Sequence, residues 1–157
     1  MSAVEDRLAD LGLSVPEVAA PVAAYVPAIV DGSRVYTSGQ LPMVAGRLAR
    51  TGKVGEGAGL VPPEDAKALA QICALNAIAA VKSVIGDLDK VERVVKVVGF
   101  VASDPAFTGQ PGVVNGASEL LGRAFGDKGV HARSAVGVAV LPLDAPVEVE
   151  IVVHVAD

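Results

Sequence analysis

Apolar residues recur at helical spacing in three segments of the chain. Residues 4–12 form the first, whose apolar side stops at Gly12. A longer helix begins at the Pro-Pro-Glu-Asp run of 62–65, where prolines and acidic residues suit a helix start, and ends at Gly86. The third helix is predicted over 113–125, closed by the glycine that follows it.

Runs of β-branched and apolar residues predict five strands, at 22–30, 33–37, 91–101, 133–141 and 147–155. The first two flank Asp31-Gly32, a pair typical of a hairpin turn. The last two flank a turn at 142–146, which predicts a second hairpin. Residues 104–112 read as a loop, and the Gly-rich segment 47–59 either holds one short strand or is mostly loop.

The element order ββ(β)-α-β-α-ββ, without an internal repeat, predicts one α+β domain over residues 1–157. Hairpins at both ends imply a mainly antiparallel sheet, with the helices on one face. The last strand places valines and an isoleucine on one side and Glu148, Glu150, Val152 and His154 on the other. Such a mixed second face suits burial against another subunit, so we expect a closed oligomer.

Composition narrows the class of protein. The 157 residues are 52% hydrophobic and 20% charged, which fits a folded domain and excludes a disordered chain. A formal charge of -5 makes a nucleic-acid partner unlikely, because phosphate binding needs a basic face. The lone Cys73 excludes an intrachain disulfide, and two histidines are too few for the usual zinc sites. With an acidic N-terminus and apolar stretches judged too short to span a bilayer, we expect a cytoplasmic protein without membrane contact.

Two charged groups stand out as candidate chemistry. Arg133, at the start of a strand, could hold a carboxylate with two parallel hydrogen bonds, or it could be an ordinary strand-end arginine. Glu148 and Glu150 could share acid–base work, or they could line a solvated strand face. If the last two strands form a hairpin, Arg133 lies roughly 20 Å from Glu148 along the strands. A site that uses both groups would then need a second subunit.

The remaining candidates have ordinary structural alternatives. Backbone N–H groups at Ser38-Gly39 could point at a ligand oxygen, or the pair could simply turn the chain. Tyr25 is expected mid-strand as a core tyrosine, and Cys73 within the apolar stripe of the long helix. The glycines between 52 and 59 do not match a phosphate-binding loop, and no spacing supports a Ser/His/acid triad.

Several motifs occur together in a recognisable order. The strongest is Ala132-Arg133-Ser134, followed by Leu141-Pro142 and by Val147-Glu148-Val149-Glu150. Tyr25 precedes Ser38, within Thr37-Ser38-Gly39-Gln40-Leu41-Pro42, by thirteen positions, and asparagines stand at 76 and 115. Over about residues 20–155, the chain resembles the YjgF/RidA family of reactive-intermediate deaminases, also called the L-PSP endoribonuclease family.

The resemblance implies a chorismate-mutase-like α+β fold of ferredoxin-like topology, with two helices on one face of the sheet. It implies a homotrimer whose sheets face a central barrel, with sites in the clefts between subunits. Residues 1–20, with their short helix, would be an N-terminal extension. The activity implied is hydrolysis of enamines and imines to a 2-keto acid and ammonia, without a metal or organic cofactor.

The resemblance also assigns roles to residues. Arg133 would bind the substrate carboxylate and Glu148 would orient or activate the attacking water. The substrate-binding residues would be Tyr25, Ser38, Gly39, Asn115 and Ala135. Ala135 stands where the best-known branch has a cysteine, which excludes thiol chemistry there. A trimeric small-ligand binding protein without turnover is the alternative, and ribonuclease activity has the least support.

Overall fold

Three α-helices and seven β-strands form in the part of the chain that the structure, a computed structural model, describes, namely residues 1–21 and 23–157. In chain order they are α1 (Ala3–Asp10), β1 (Ala28–Asp31), β2 (Arg34–Thr37), β3 (Met43–Val44), β4 (Arg47–Leu48), α2 (Pro63–Ile85), β5 (Val91–Ala102), α3 (Gln110–Phe125), β6 (Ala132–Val138) and β7 (Val147–Val155). The segment 47–59 thus holds one short strand followed by loop, which was one of the two expected outcomes.

The main sheet has five strands in the order β1-β2-β7-β5-β6, while β3 and β4 form a separate small hairpin. The last strand, β7, pairs antiparallel with β2 on one side and β5 on the other. Among the strand pairs of this sheet in the described chain, only the outer pair, β5 with β6, is parallel, and α3 connects these two strands. The sheet is therefore mixed and mainly antiparallel, as expected.

The two faces of the sheet differ as the alternation in β7 predicts. Its residues at 147, 149, 151 and 153 are buried, and the residues between them are half-buried. Helices α2 and α3 pack against each other and cover the buried face, where Val114 of α3 lies directly over Gly99 of β5. The other face carries exposed apolar side chains, including Ile29, Tyr36 and Val136.

The predicted C-terminal hairpin is wrong. β6 and β7 do not pair with each other, because β5 lies between them in the sheet. The ferredoxin-like topology is also wrong in its connections: that fold runs β-α-β-β-α-β, whereas here the chain from β2 onward runs β-α-β-α-β-β apart from the small β3–β4 hairpin. Because α3 connects β5 to β6, β6 runs parallel to β5 at the edge of the sheet. β7 then pairs with the other side of β5 and with β2.

Several element boundaries also differ from the prediction: for example, β6 ends at Val138 rather than at 141. The first strand begins at Ala28 rather than 22, because Ala28 pairs with Thr37 and the partner strand ends there; Val22 itself lies outside the described residues. Helix α3 begins at Gln110, three residues early, since Pro111 stands in the first turn, where a proline costs no hydrogen bond.

Helix α2 has the predicted extent, but its apolar stretch is longer than the sequence analysis allowed. By length and composition alone its 23 residues could cross a membrane, with a mean hydropathy of 1.7 over its most apolar window. However, 61% of that window is buried inside the fold, as in the core helix of a folded domain. Cys73 is among its fully buried residues, as expected.

The N-terminal helix is attached firmly to the domain. Ser2 and Glu5 form a capping box, and Lys82 of α2 pairs with the Glu5 carboxylate. The Lys82 bond, assisted by Ser2, lowers the pKa of Glu5 to about 2. The carboxylate of Asp89 accepts from the backbone N–H of Ala3 at 3.0 Å. These bonds fix where the following segment, residues 13–21, starts its path along the domain.

We expect Gly116→Ala to destabilise the domain by about 1–3 kcal/mol, the usual cost of overpacking. A Cβ at Gly116 of α3 would overlap the carbonyl oxygen of Lys67, which belongs to the α2 backbone and cannot turn away. The matched control is Gly122→Ala on the same helix, where a Cβ meets nothing within 4 Å. That change should stabilise by about 0.5–1 kcal/mol. Urea unfolding measures both, and equal effects would contradict close helix packing at 116.

Candidate active site

A cavity of about 470 Å³ opens on the side of the sheet that carries Glu148. Its walls come from residues in the segments 19–21 and 23–27, from the turn after β2 and from β7. The lining residues are Ala19, Ala20, Pro21, Ala23, Tyr25, Pro27, Ser38, Gly39, Gln40, Leu41, Met43, Pro142 and Glu148. Among them, Glu148 is the one charged residue, so the cavity combines a single carboxylate with a largely apolar wall.

The turn after β2 is fixed by hydrogen bonds to backbone atoms of neighbouring segments. The Ser38 amide donates to Pro27 O at 2.8 Å and its hydroxyl donates to Val26 O at 2.6 Å. The backbone of Gln40 exchanges hydrogen bonds with that of Val149 in β7, with N···O distances of 2.8 and 3.0 Å. These bonds hold the turn against β7, next to Glu148.

Gly39 is required by the approach of Glu148. A Cβ at position 39 would overlap Oε1 of Glu148, so any side chain there displaces the carboxylate. The glycine thus lets the turn touch the carboxylate, which is a stronger demand than turning the chain.

Asn76, on α2, holds the far side of the same turn. It is buried, and its side-chain amide donates to the carbonyl oxygens of Leu41 and Met43 at 3.0 Å each. Both residues line the cavity, so the helix sets the position of one cavity wall through a single side chain.

The carboxyl group of Glu148 is half-buried, and this changes its acidity. Burial, and to a lesser degree the charge of Glu150 two residues along the strand, raise the pKa of Glu148 above its ordinary value. A carboxyl group with a raised pKa is a stronger base when ionised, and it holds its proton closer to neutral pH.

Tyr25 lies outside any strand, in a bend, which corrects the expectation of a core tyrosine in mid-strand. Its side chain is 43% exposed and lines the cavity. The described residues 23–27 lie outside the sheet, because β2 ends at Thr37, the partner of Ala28. Tyr25 is therefore placed by this irregular segment and not by the sheet.

Arg133 lies apart from this cavity, at the other edge of the sheet. Its guanidinium donates to Asn115 Oδ1 at 2.7 Å, to Ser118 Oγ at 3.3 Å and to Pro111 O at 3.1 Å. All three partners belong to α3. These bonds use three of the five N–H groups of a guanidinium, and within the described chain two remain to take a ligand carboxylate. Ala135, two residues along β6, is half-buried against the core on this face.

His131 and Ser118 extend the hydrogen-bond chain behind Arg133. The Nδ1–H of His131 donates to Gly129 O at 2.6 Å, so Nε2 is left to accept from the Ser118 hydroxyl at 2.8 Å. The Ser118 oxygen in turn accepts from Arg133. Because a backbone carbonyl occupies the other ring nitrogen, the pair orients Arg133 and lacks the acid of a catalytic triad.

Within one protomer, Arg133 and Glu148 cannot act on one ligand. The register places Arg133 and Ile151 on either side of Val97, and Ile151 is three residues from Glu148. The two residues are thus offset by roughly 10 Å along the strands and by roughly 10 Å across them. They also point to opposite faces of the sheet, because Arg133 bonds to α3 and Glu148 lies on the face away from the helices. The sequence analysis also expected Arg133 and Glu148 to lie far apart, but on two paired strands of a hairpin. In the structure they are separated because β5 lies between β6 and β7.

The site shows no arrangement suited to a metal. Across residues 1–21 and 23–157, no three His, Cys, Asp or Glu side chains gather as metal ligands would.

A family profile described as YjgF/chorismate mutase-like endoribonuclease matches residues 5–155. The chain belongs to the YjgF/RidA family. Protein TCP17 of Trypanosoma cruzi is 44% identical over 152 residues, which cover 96% of this chain and 93% of that one. Protein Atu1372 of Agrobacterium tumefaciens, whose crystal structure is described as being of unknown function, is 44% identical with a TM-score of 0.90, covering 98% and 93%. RidA from the Antarctic bacterium Psychrobacter sp. PAMC 21119 is 26% identical with a TM-score of 0.60, covering 88% and 94%.

The residues that the YjgF/RidA resemblance singled out fall into two groups. Tyr25, Ser38, Gly39 and Glu148 meet at the cavity, whereas Arg133, Asn115 and Ala135 meet beside α3. Sequence reasoning missed the place of Gln40 in the cavity wall, the roles of Ser118 and His131, and the contribution of Ala19, Ala20, Pro21 and Ala23. The buried polar Gln40 and Asn76 were the available signal, since polar residues in apolar surroundings need a specific partner.

Proposed function

We propose that this member of the YjgF/RidA family hydrolyses 2-imino acids and their enamine tautomers to 2-oxo acids and ammonia. The observation that carries the proposal is the half-buried carboxyl of Glu148, with a raised pKa, against the Ser38–Gly39 turn of a mostly apolar cavity. Such a group can take a proton from a water molecule that a polar turn and an apolar wall hold in place. The similarity to RidA supports the same reaction class.

The reaction needs only water and one base. Glu148 takes a proton from water as the water oxygen bonds to the imine carbon; the π electron pair of the carbon–nitrogen double bond moves to the nitrogen, which receives that proton, and a carbinolamine results. Glu148 then takes the hydroxyl proton of the carbinolamine and passes it to the nitrogen; as the carbon–oxygen double bond forms, the carbon–nitrogen bond breaks and ammonia leaves. The imine carbon is already electrophilic, so positioning and general-base assistance suffice.

The carboxylate of such a substrate needs a cationic partner, and the described residues that line the cavity include no Lys or Arg. We propose that Arg133 of a second copy supplies it, in a homotrimer whose sheets face one another. Exposed apolar residues on the open face, such as Ile29, Tyr36 and Val136, support burial of that face against another copy. Asn115 and Ser118 would keep Arg133 extended from its own sheet edge into the neighbouring cavity.

A non-catalytic ligand-binding trimer is the second candidate, supported by the largely apolar cavity wall. Ribonuclease activity has less support despite the family name. The chain carries a net charge of -5, and the one charged group in the cavity is an acid that would repel a phosphate.

Competition for imines tests the proposal. An amino-acid oxidase generates 2-imino acids in the presence of semicarbazide, and the enzyme should lower the yield of trapped product. Wild type should compete with the trap, while Arg133→Ala and Glu148→Ala should not, although both keep the oligomeric state of the wild type. Failure of the wild type across a panel of amino acids contradicts the enzymatic proposal and leaves the binding candidate.

The charge of Glu150 should be visible in the pH profile. Its negative charge contributes to the raised pKa of Glu148, so Glu150→Gln should lower that pKa. The base form of Glu148 is lost as pH falls through this pKa. The acidic limb of kcat/KM should therefore move to lower pH in Glu150→Gln. The control Glu64→Gln removes an equal charge from the exposed start of α2 and should leave the limb in place. An unmoved limb in Glu150→Gln would mean that Glu148 is not the titrating base.

A further inference from the structure

A second cavity, of about 560 Å³, adjoins the candidate active site. It lies between the extended segment that follows α1, the β3–β4 hairpin and the outer face of α2, where Ile72 and Leu75 line it. Three residues, Ala19, Ala20 and Met43, line both cavities. These three, which we call the partition, therefore stand between the two spaces.

The partition is thin and adjustable. Two of its members are alanines, and the third is methionine, an unbranched side chain that adapts its shape to its neighbours. The backbone around Met43 is held independently of that side chain, because Asn76 bonds to the Met43 carbonyl oxygen. Leu13 and Val15, which precede the alanines in the chain, pack against the hydrophobic core.

The chemistry of the wall restricts what can lie against it. Apart from Glu148 and the polar turn, the first cavity is bounded by alanines, prolines, a leucine and a methionine, with Tyr25 at its side. An acidic substituent would be desolvated there near a carboxylate, whereas an apolar substituent would replace water at the wall.

We infer that the partition sets substrate preference: the site takes 2-imino acids with apolar side chains, and Ala19 and Met43 limit the side-chain length. The inference rests on the proposed function. Removing the Met43 side chain joins the two cavities and admits longer substrates, and enlarging Ala19 shortens the accessible space. The N-terminal extension is then a specificity element of the reaction site.

The test compares imines generated from alanine, leucine, phenylalanine and glutamate in the trapping assay. Wild type should process the apolar imines and discriminate against the glutamate-derived one. Met43→Ala should raise the ratio of kcat/KM for the phenylalanine-derived imine over the alanine-derived one by about tenfold, the scale of a few pocket contacts. Ala19→Leu should lower the same ratio by about tenfold, through KM more than kcat, since the wall binds substrate and transition state alike.

Val44→Ala is the matched control, because Val44 lines the second cavity and is exposed, but does not line the first. It should leave the ratio unchanged. A parallel measurement of binding, by thermal shift with pyruvate, 4-methyl-2-oxopentanoate, phenylpyruvate and 2-oxoglutarate, separates the two proposals. Turnover with unchanged ratios in both partition variants overturns the partition alone. Binding that follows the predicted size order, without turnover by the wild type, supports the partition and overturns the hydrolase. No binding and no turnover overturns both.

Discussion

Glu148→Gln is expected to lower kcat/KM for imine hydrolysis by about a hundred- to ten-thousand-fold, the usual contribution of a positioned general base. The amide keeps the shape that fits against Gly39 but cannot take a proton from water. Substrate binding should change little, so the loss should be in kcat. The trapping assay with one apolar imine measures it.

The same substitution should not weaken the fold. A carboxyl whose folded pKa is raised is penalised when ionised, so it destabilises the folded state at neutral pH and this penalty disappears as pH falls through the raised pKa. A neutral glutamine removes the penalty at neutral pH. Glu148→Gln should therefore have an equal or higher Tm at pH 7, and the difference from wild type should shrink in acid. A lower Tm together with lost activity would indicate a structural role for Glu148 instead.

Two inactive variants should restore activity when they assemble together. Glu148→Gln lacks the base but keeps the arginine, and Arg133→Ala lacks the arginine but keeps the base. If each site takes Arg133 from one copy and Glu148 from the neighbouring copy, a homotrimer that contains both variants should have one intact site among its three, about a third of the total. Each variant alone should be inactive.

Co-expression with two different tags and purification over both affinity columns gives the mixed oligomers. Their activity is compared with that of a mixture of the separately purified variants, which should stay inactive if the subunits do not exchange. Mixed oligomers without activity would contradict a site shared between copies. A doubly substituted chain co-expressed with wild type controls for the dilution of intact subunits.

Local patterns in the sequence predicted the elements well and their pairing less well. Asp31-Gly32 correctly marked the first hairpin, and the alternation along β7 correctly separated the buried from the open face. The pairing of β6 with β5 is non-local and depends on a helix crossover, for which the sequence has no local sign, so adjacency along the chain suggested a false hairpin. Tyr25 was misplaced for a related reason. The sequence analysis read residues 22–30 as one strand, and the local pattern does not show that β2, the partner of this strand, ends at Thr37 opposite Ala28.

The candidate site was predictable to the extent that it rests on motifs. The resemblance named Tyr25, Ser38, Gly39 and Glu148, and the structure gathers them at one cavity. The contribution of Ala19, Ala20, Pro21 and Ala23 could not be predicted, because these residues belong to no helix or strand and meet the cavity only in the folded protein. The same holds for the chain from Arg133 through Ser118 to His131, whose members come from different elements and meet only in the folded protein.

The place of β7 determines the order in which the protein can be completed. β7 follows the other strands of the described chain in sequence, yet it lies between β2 and β5 and carries Glu148. During synthesis, β2 and β5 therefore keep open edges until residues 147–155 are made, and the cavity lacks its carboxylate until then. A chain that stops before residue 147 has neither a continuous sheet nor Glu148, and its exposed strand edges invite aggregation.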